Sequence, residues 1–410
     1  MRRIFIIDEH ASSKQNGIGT YMRQLTTCLK GSENELNIIS FNDDEKEFTI
    51  VKKESITYYQ YPVIAGGKFR YNAPLLLGLL KLYVSDYSQN IFFINHSPCR
   101  DFLRTLKEIY PLSKQIFVIH DFGWTTPLLG HRPTLEKVLK KRCRSSKSIN
   151  NDRFVQTYCA EERAMYRLVD KVVCLTQDSN RLLQEVYRVP AHKIAIIPNG
   201  RIFDTVSTQK TDKDTIRQNL GIDKNDKILL YVGRTTPPKG MNVLLQAFEQ
   251  VYRQHPEVRL VIAGQIFSLN EFARLTPTSV SRIIYTGLIT PELLNKWYQI
   301  ADIGLLPSYS EQCSYTGMEM LSHGLLIVTT DAQGIREMFQ HNRNALAATI
   351  GNREKPTEFI QHLTETLLHA LHLPLEDQKR LCLQAQTDAN NRYTLIHMKH
   401  GYQQLLNTLL

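Results

Sequence analysis

LLPSYSEQCSYTGMEMLSHGLLIVTTDAQGIRE, residues 305–337, decides how the rest of the chain is read. The apolar run ending at Leu306 and Pro307 predicts a buried strand, and SYSEQCSY leaves its carboxyl end as a polar loop. Open parallel sheets bind ligands outside those ends. Glu311 and Glu319 are separated by seven residues, 312–318, so the first falls in the loop and the second on a helix predicted to begin near Thr316. The amides of Cys313 to Thr316 lie at the approach to that helix, where unpaired N–H groups and the helix dipole favour an anion such as phosphate. Two carboxylates beside a phosphate would repel it unless each meets a hydroxyl; a sugar and a ribose flanking a diphosphate satisfy that condition. Taken alone, the pair also reads as a solvated loop residue and a residue that favours a helix's first turn.

Upstream, ILLYVGRTTPPKGMNVLLQAF (228–248) reads as strand, turn and helix, with Leu244, Leu245 and Phe248 spaced for burial. Arg234 and Lys239 flank its proline-stiffened turn, so two cations can be held over one diphosphate without first ordering a floppy loop. A pair of solvated loop cations is the plainer alternative. VRLVIAG (258–264) and RIIYTGLIT (282–290) repeat the strand pattern, and PELLNKWYQIAD (291–302) is amphipathic. The loop at Gly287–Ile289 reads equally as a ligand loop or a structural strand-to-helix turn. Asp331, Gly334 and Glu337 close the opening stretch, Glu337 as a first-turn helix residue or a ligand.

In the other direction, RIFIID (3–8) predicts a strand, and NGIGTYMRQLTTCL (16–29) passes through a glycine-bearing turn into a helix. Gly17 and Gly19 fit a phosphate-approach loop, because glycine tolerates unusual backbone angles and admits a ligand close to the amides; a mere tight turn is the alternative. Strand-like runs follow at 36–40, 56–59, 91–95, 115–119, 171–175 and 194–197, with helical patterns between several of them. That alternation predicts a mostly parallel, doubly wound α/β sheet. His120 closes one of these strands and Asn95 and His96 another, at the ligand-facing end, where a histidine can meet a hydroxyl or simply cap the strand. After PNG (198–200), the polar RIFDTVSTQKTDKDT (201–215) predicts the interdomain linker. Residues 358–410 are mostly helical by pattern, with Leu395, Ile396, Tyr402, Leu405, Leu406 and Leu409 as a final apolar stripe.

The spaced glutamates of 305–337, together with GR and KG around the turn at 234–239, resemble the signatures of retaining glycosyltransferases of family 4. The resemblance covers nearly the whole chain and is specific mainly over 229–337. It implies the GT-B fold: two Rossmann-like doubly wound domains facing a central cleft, here an acceptor-side domain 1–200, a nucleotide-sugar-binding domain 201–390, and a helix in 391–410 crossing back to the first. By the same resemblance Glu311 meets the donor sugar, Glu319 the ribose, and Gly287 and Ile289 border the base. Arg234 and Lys239 neutralise the leaving diphosphate, with Gly17, Gly19, Ser314, Tyr315 and Thr316 on its phosphates. His120 matches the acceptor-side histidine and, with Glu311, is carried over as an active-site residue. The family usually has small residues after its first glutamate; this chain has Gln312, Cys313, Ser314 and Tyr315 there, and Asn16 where the family often has glycine.

At 410 residues the chain exceeds one ordinary core, which predicts two domains, and 42% hydrophobic content is that of a globular protein. Seven cysteines in no paired close spacing point to reduced thiols in a cytoplasm. MRRIFII is too short and too soon broken by Asp8 and Glu9 for a signal peptide, and Ala73–Val84 falls short of a membrane span and reads as a core helix. The +10 formal charge points to an anionic partner. Lys137, Lys140, Lys141, Arg142, Arg144 and Lys147 form either a membrane-touching helix or a solvated basic face. No nucleic-acid module is evident. The expected activity is metal-independent, retaining transfer of a sugar from a UDP- or GDP-linked donor, with no cofactor, to a hydroxyl on a glycan, lipid-linked glycan, small molecule or peptide. An epimerase of the same fold and a catalytically silent nucleotide-binding partner remain as alternatives.

Overall fold

The computed structural model describes residues 1–8, 17–43, 45–63, 72–95, 100–141, 150–203, 212–265, 269–353 and 355–409. The chain forms two compact units: Met1–Pro127, Arg132–Gly200 and Leu395–Leu410 make the first, and Leu128–His131 with Arg201–Thr394 the second. Each is a Rossmann-like α/β layer structure.

In the first unit the described strands are β1 (Arg2–Asp8), β2 (Asn34–Asp43), β3 (Thr49–Lys53), β4 (Ile56–Pro62), β5 (Asn90–Asn95), β6 (Lys114–Val118), β7 (Lys171–Cys174) and β8 (Ile194–Ile196). They lie in the order β3-β4-β2-β1-β5-β6-β7-β8. Every pairing is parallel except β3 with β4. Strands covered on both faces need continuous apolar runs, and Ile4 to Ile7 and all six residues of NIFFIN in β5 are buried accordingly. Strand order reverses between β1 and β5, which makes their carboxyl ends a topological switch point.

The second unit contains β9 (Lys227–Val232), β10 (Val258–Ala263), β11 (Ile283–Gly287), β12 (Ile303–Leu305), β13 (Leu326–Thr330) and β14 (Leu346–Ala348), in the order β11-β10-β9-β12-β13-β14 and parallel throughout. This is the order of a dinucleotide-binding fold, and its switch point lies between β9 and β12. The loops carrying Arg234, Lys239 and Glu311 leave those two strands.

The helix Leu375–Arg392 stays in the second unit, whereas Leu395–Asn407 packs in the first. There Tyr402 hydrogen-bonds Tyr21 through the two hydroxyls and meets Phe93 edge-on, and the Gly200 amide donates to Met398 Sδ (3.2 Å). The expected apolar stripe needs one correction: Ile396 is 78% exposed, and Met398 takes the inward position. A second correction concerns Arg201, which is a structured residue and not part of a loose linker. It forms a parallel bridge with Thr394, its amide donating to the Tyr393 carbonyl (2.8 Å). Residues 204–211 of that segment, with Asn16, His96, Arg142, Arg144 and Lys147, lie outside the described residues. In the helix Ala73–Lys81 the faces at Leu76, Leu77 and Leu80 are buried as a core helix requires. No helix among the described residues is long and apolar enough to cross a membrane.

Candidate active site

The second unit's switch point is built by two loops that touch. After β9, Pro237–Lys239 form a short 3-10 turn ending at Gly240, whose φ of 74° is left-handed. A Cβ on Gly240 would fall 1.9 Å from the Pro307 carbonyl oxygen, so only glycine lets the β9 loop lie against the β12 loop. The Tyr309 amide then donates to the Pro238 carbonyl (2.9 Å), and Lys239 Nζ to Glu311 Oε1 (2.6 Å). Ser308 Oγ donates to the same carboxylate oxygen (2.9 Å). Arg234 stands at the turn's start with its side chain exposed, its carbonyl accepting from the Tyr231 hydroxyl (2.6 Å). Burial, reinforced by the nearby Glu311 carboxylate, pushes the Tyr231 phenol up, which keeps it a proton donor.

The segment after Glu311 is fixed from below. Gly334, with φ of 78°, runs so close to Glu311 that a Cβ would sit 1.8 Å from the Glu311 carbonyl oxygen. Gln312 and Cys313 are turned inward at 6% exposure, which is how residues larger than the family's usual small ones are accommodated. Ser314 is the N-cap of the helix Tyr315–Ser322, accepting from the Gly317 amide (3.2 Å), while its own amide faces Met338 Sδ (3.3 Å). The helix thus starts within one residue of the expected Thr316, with the Ser314 amide turned toward Met338. The Gly317 and Ser314 donors are engaged inside the protein, and the first-turn residues at the open end are Tyr315 and Thr316.

Glu319 rises on this helix and is held at both oxygens. Arg201 Nη1 donates to Oε1 and the Tyr298 hydroxyl to Oε2 (2.7 Å). The two glutamates therefore answer to different partners, Glu311 to Lys239 and Glu319 to Arg201. Gly287 ends β11 with a φ of 69° and accepts from the Gly264 amide (2.9 Å); Ile289 follows, half-buried, just before Thr290 caps the helix Pro291–Ile300 that carries Tyr298.

In the first unit, Gly17 and Gly19 are residues of the helix Gly17–Leu29 itself, and neither is among the glycines with positive φ. Neither glycine adopts the glycine-only backbone angles expected of a phosphate-approach loop, and a Cβ on Gly17 would meet nothing within 4 Å. His120, half-buried two residues beyond β6, packs its ring edge-on against Tyr21 of that helix (4.4 Å between centroids). Asp121 Oδ1 accepts from the Phe122 amide (2.9 Å) and Thr125 hydroxyl (2.7 Å), curling the loop. Beneath it lies Glu162, 4% exposed, which accepts from the Gly123 amide (2.8 Å) and from the Tyr187 hydroxyl. Burial pushes its carboxyl up to about 7, against those two donors, which favour the anion.

A family model described as Glycosyltransferase Family 4 matches residues 15–202, and one described as Glycosyl transferases group 1 matches 226–369. The chain belongs to the GT-B glycosyltransferase superfamily. Lipopolysaccharide 1,2-N-acetylglucosaminetransferase of Salmonella typhimurium is 29% identical over 160 residues, 37% of this chain and 42% of that protein. The chain spans between 38% and 61% of the length of the first three curated relatives it matches. Among solved structures, sucrose-phosphate synthase from Thermosynechococcus elongatus has the same fold, with a TM-score of 0.74 at 16% identity, covering 100% of this chain and 99% of that one. The Anabaena protein HepE, solved with UDP and glucose, gives a TM-score of 0.70 at 15% identity and 100% coverage of both chains.

Within this GT-B chain, sequence reasoning missed Arg201, Tyr298 and Glu162. Arg201 directly follows the PNG turn and was counted with the linker, Tyr298 with an amphipathic stripe, and Glu162 lies in the long helix Asn150–Leu168. An acidic residue on the inward side of such a helix is the one signal available, since buried carboxylates need partners.

Proposed function

We propose that the chain is a retaining glycosyltransferase that moves a sugar from a nucleotide-diphosphate sugar to an acceptor hydroxyl. The observation that carries this reading is the joining of Lys239 to Glu311 across the switch point, with Arg234 on one loop and the Glu319 helix on the other. In the reaction the bond between the anomeric carbon and the diphosphate oxygen breaks, and the acceptor oxygen bonds to the same face of that carbon. The acceptor proton passes to the leaving phosphate. Arg234 and Lys239 stabilise the charge gathering on the diphosphate, together with the helix start at Tyr315 and Thr316. Glu311 meets the donor sugar, Glu319 the ribose, and Gly287 and Ile289 the base edge. His120 is assigned to the acceptor side, with Gly17 and Gly19 approaching the donor phosphates.

Relatives of the same fold solved with UDP and UDP-glucose support a UDP-linked sugar as the first donor to assay, and the lipopolysaccharide relative supports a glycan acceptor. Incubation with UDP- and GDP-sugars, first alone and then with acceptor extract in excess chelator, tests the reading by product mass and anomeric NMR. Transferred sugar with retained configuration is expected. Epimerised free donor, inverted product, or binding without turnover would each replace the proposal. The reading extends to action at the cytoplasmic face of a membrane, with Lys137 and Lys140 meeting anionic lipid; absence of binding to anionic liposomes at low salt would remove that part.

A further inference from the structure

Glu319 is anchored by two residues from distant parts of the second unit, and both are themselves held. The Arg201 backbone is fixed by its bridge to Thr394, beside Tyr393, which is 3% exposed. Tyr298 is 2% exposed, and its ring stacks on His323 at 4.7 Å between centroids. His323 ends Glu319's own helix and sets Nδ1 2.8 Å from the Glu319 carbonyl oxygen, with Nε2 2.7 Å from Asn295 Oδ1. Burial pushes the Tyr298 phenol up, so it stays a donor across the physiological range. A glutamate side chain otherwise turns freely about its last torsion, and holding both oxygens removes that freedom before any ligand arrives. Each carboxylate oxygen has two accepting directions. One partner on each oxygen leaves one direction on each, which suits two hydroxyls on adjacent carbons.

We propose that Arg201 and Tyr298 are positioning residues that lock the Glu319 carboxylate to accept from the vicinal hydroxyls of the nucleotide's ribose, and that they thereby set selectivity for ribonucleotide over deoxyribonucleotide. The proposal rests on the assignment of Glu319 to the ribose. Arg201 acts through Glu319 and does not touch the ribose. Its charge also balances a carboxylate that is only 15% exposed, so the site does not repel an incoming diphosphate.

The test is calorimetry of UDP and 2′-deoxy-UDP, or of GDP and its deoxy analogue where that binds tighter, on the full chain and its variants. The wild type should prefer the ribonucleotide by roughly 10-fold or more, the value of a hydrogen bond to a charged group. Glu319→Gln should erase most of that preference. Arg201→Ala and Tyr298→Phe should each cut it about 5-fold; Arg201→Ala, which strands the Glu319 charge, should also weaken both nucleotides, whereas Tyr298→Phe should leave deoxynucleotide affinity nearly unchanged, and Arg201→Lys should restore part of the preference. If Glu319→Gln loses the preference but Arg201→Ala and Tyr298→Phe keep it, the positioning role is overturned and the ribose assignment stands. If Glu319→Gln keeps the preference, or the wild type shows none, the ribose assignment falls and this proposal with it. Equal loss of both nucleotides in Tyr298→Phe, the variant least able to disturb packing, would reduce the network to a structural one.

Discussion

Lys239 Nζ lies 2.6 Å from Glu311 Oε1, so the loops leaving β9 and β12 are tied by an ion pair whose side chains are 27% and 11% exposed. On the proposed assignment, a donor diphosphate arriving at Lys239 shares that ammonium with Glu311. On that assignment the pairing positions the Lys239 side chain before the donor arrives and keeps the Glu311 carboxylate from drifting toward the phosphates. Removing one partner of such a pair strands the other's charge, which costs more than the pair contributes.

This separates two cations that the sequence presents as equivalents. Lys239→Ala and Arg234→Ala should each lower transfer about 100- to 1000-fold, by withdrawing a cation from the developing diphosphate charge. Only Lys239→Ala should also destabilise the second unit, by roughly 1–3 kcal/mol, because it strands Glu311. Adding Glu311→Gln to it should recover stability and not activity. Urea unfolding of the three variants checks the stability half. Unchanged turnover in both single variants would end the clamp assignment.

Glu311 and Glu319 should divide when each is changed to Gln, which keeps size and removes the charge. Glu319→Gln should weaken binding of the nucleoside diphosphate product, since the ribose remains after transfer. Glu311→Gln should spare that affinity and depress turnover, since its partner leaves with the sugar. Their separate partners, Lys239 and Arg201, make this division structurally independent. Equal loss of product affinity in both would remove the separate roles.

The parallel strands were legible because burial on both faces demands apolar runs, as in IFIID and NIFFIN. β3 was not, because Thr49–Lys53 is an edge strand with two exposed lysines, joined to β4 through Glu54 and Ser55, with Glu54 at φ 53° where a turn signal would have asparagine or glycine. β14 is three residues long, too short for a period. At the site, residues carried by one local motif could be found from spacing. Arg201 could not, since its carboxylate partner is 118 positions away and only the fold brings them together. The pairing of Lys239 with Glu311, 72 positions apart, was hidden for the same reason, although each residue was singled out.

Gly334 offers a test of how closely Glu311 must be held. Gly334→Ala introduces a Cβ 1.8 Å from the Glu311 carbonyl oxygen at a left-handed φ, so the chain must move at one of the two residues. The strain should cost roughly 1–3 kcal/mol. A displacement near 1 Å at Glu311 should lower turnover by about 100-fold with little change in nucleoside diphosphate affinity. Wild-type turnover in this variant would show that the Glu311 backbone position is not critical.

Glu162 makes the first unit's stability depend on pH. Its carboxyl is pushed up to about 7 chiefly by burial and secondarily by Asp121, with the Tyr187 hydroxyl and Gly123 amide pulling the other way. Tyr166 and Cys159 also face it, and both are pushed up and stay neutral, so neither offers a cation. The folded state therefore binds this proton more tightly than the unfolded chain, whose glutamate titrates near roughly 4.3. The stabilising contribution is full below that value, is lost as pH rises to about 7, and then levels off. Glu162→Gln cannot ionise; its amide oxygen can still accept from Gly123 and its amide nitrogen can donate to Tyr187. Relative to wild type, the variant should gain on the order of 3 kcal/mol between pH 4.5 and 8, and be no more stable at the acid end. Tryptophan fluorescence can follow the first unit alone, since of the two tryptophans Trp124 lies fully buried there and Trp297 can be replaced by Phe. Urea unfolding by that signal across the pH range gives the difference directly. A difference constant with pH would mean that Glu162 is ionised throughout, held as an anion by Tyr187 and the Gly123 amide despite its burial.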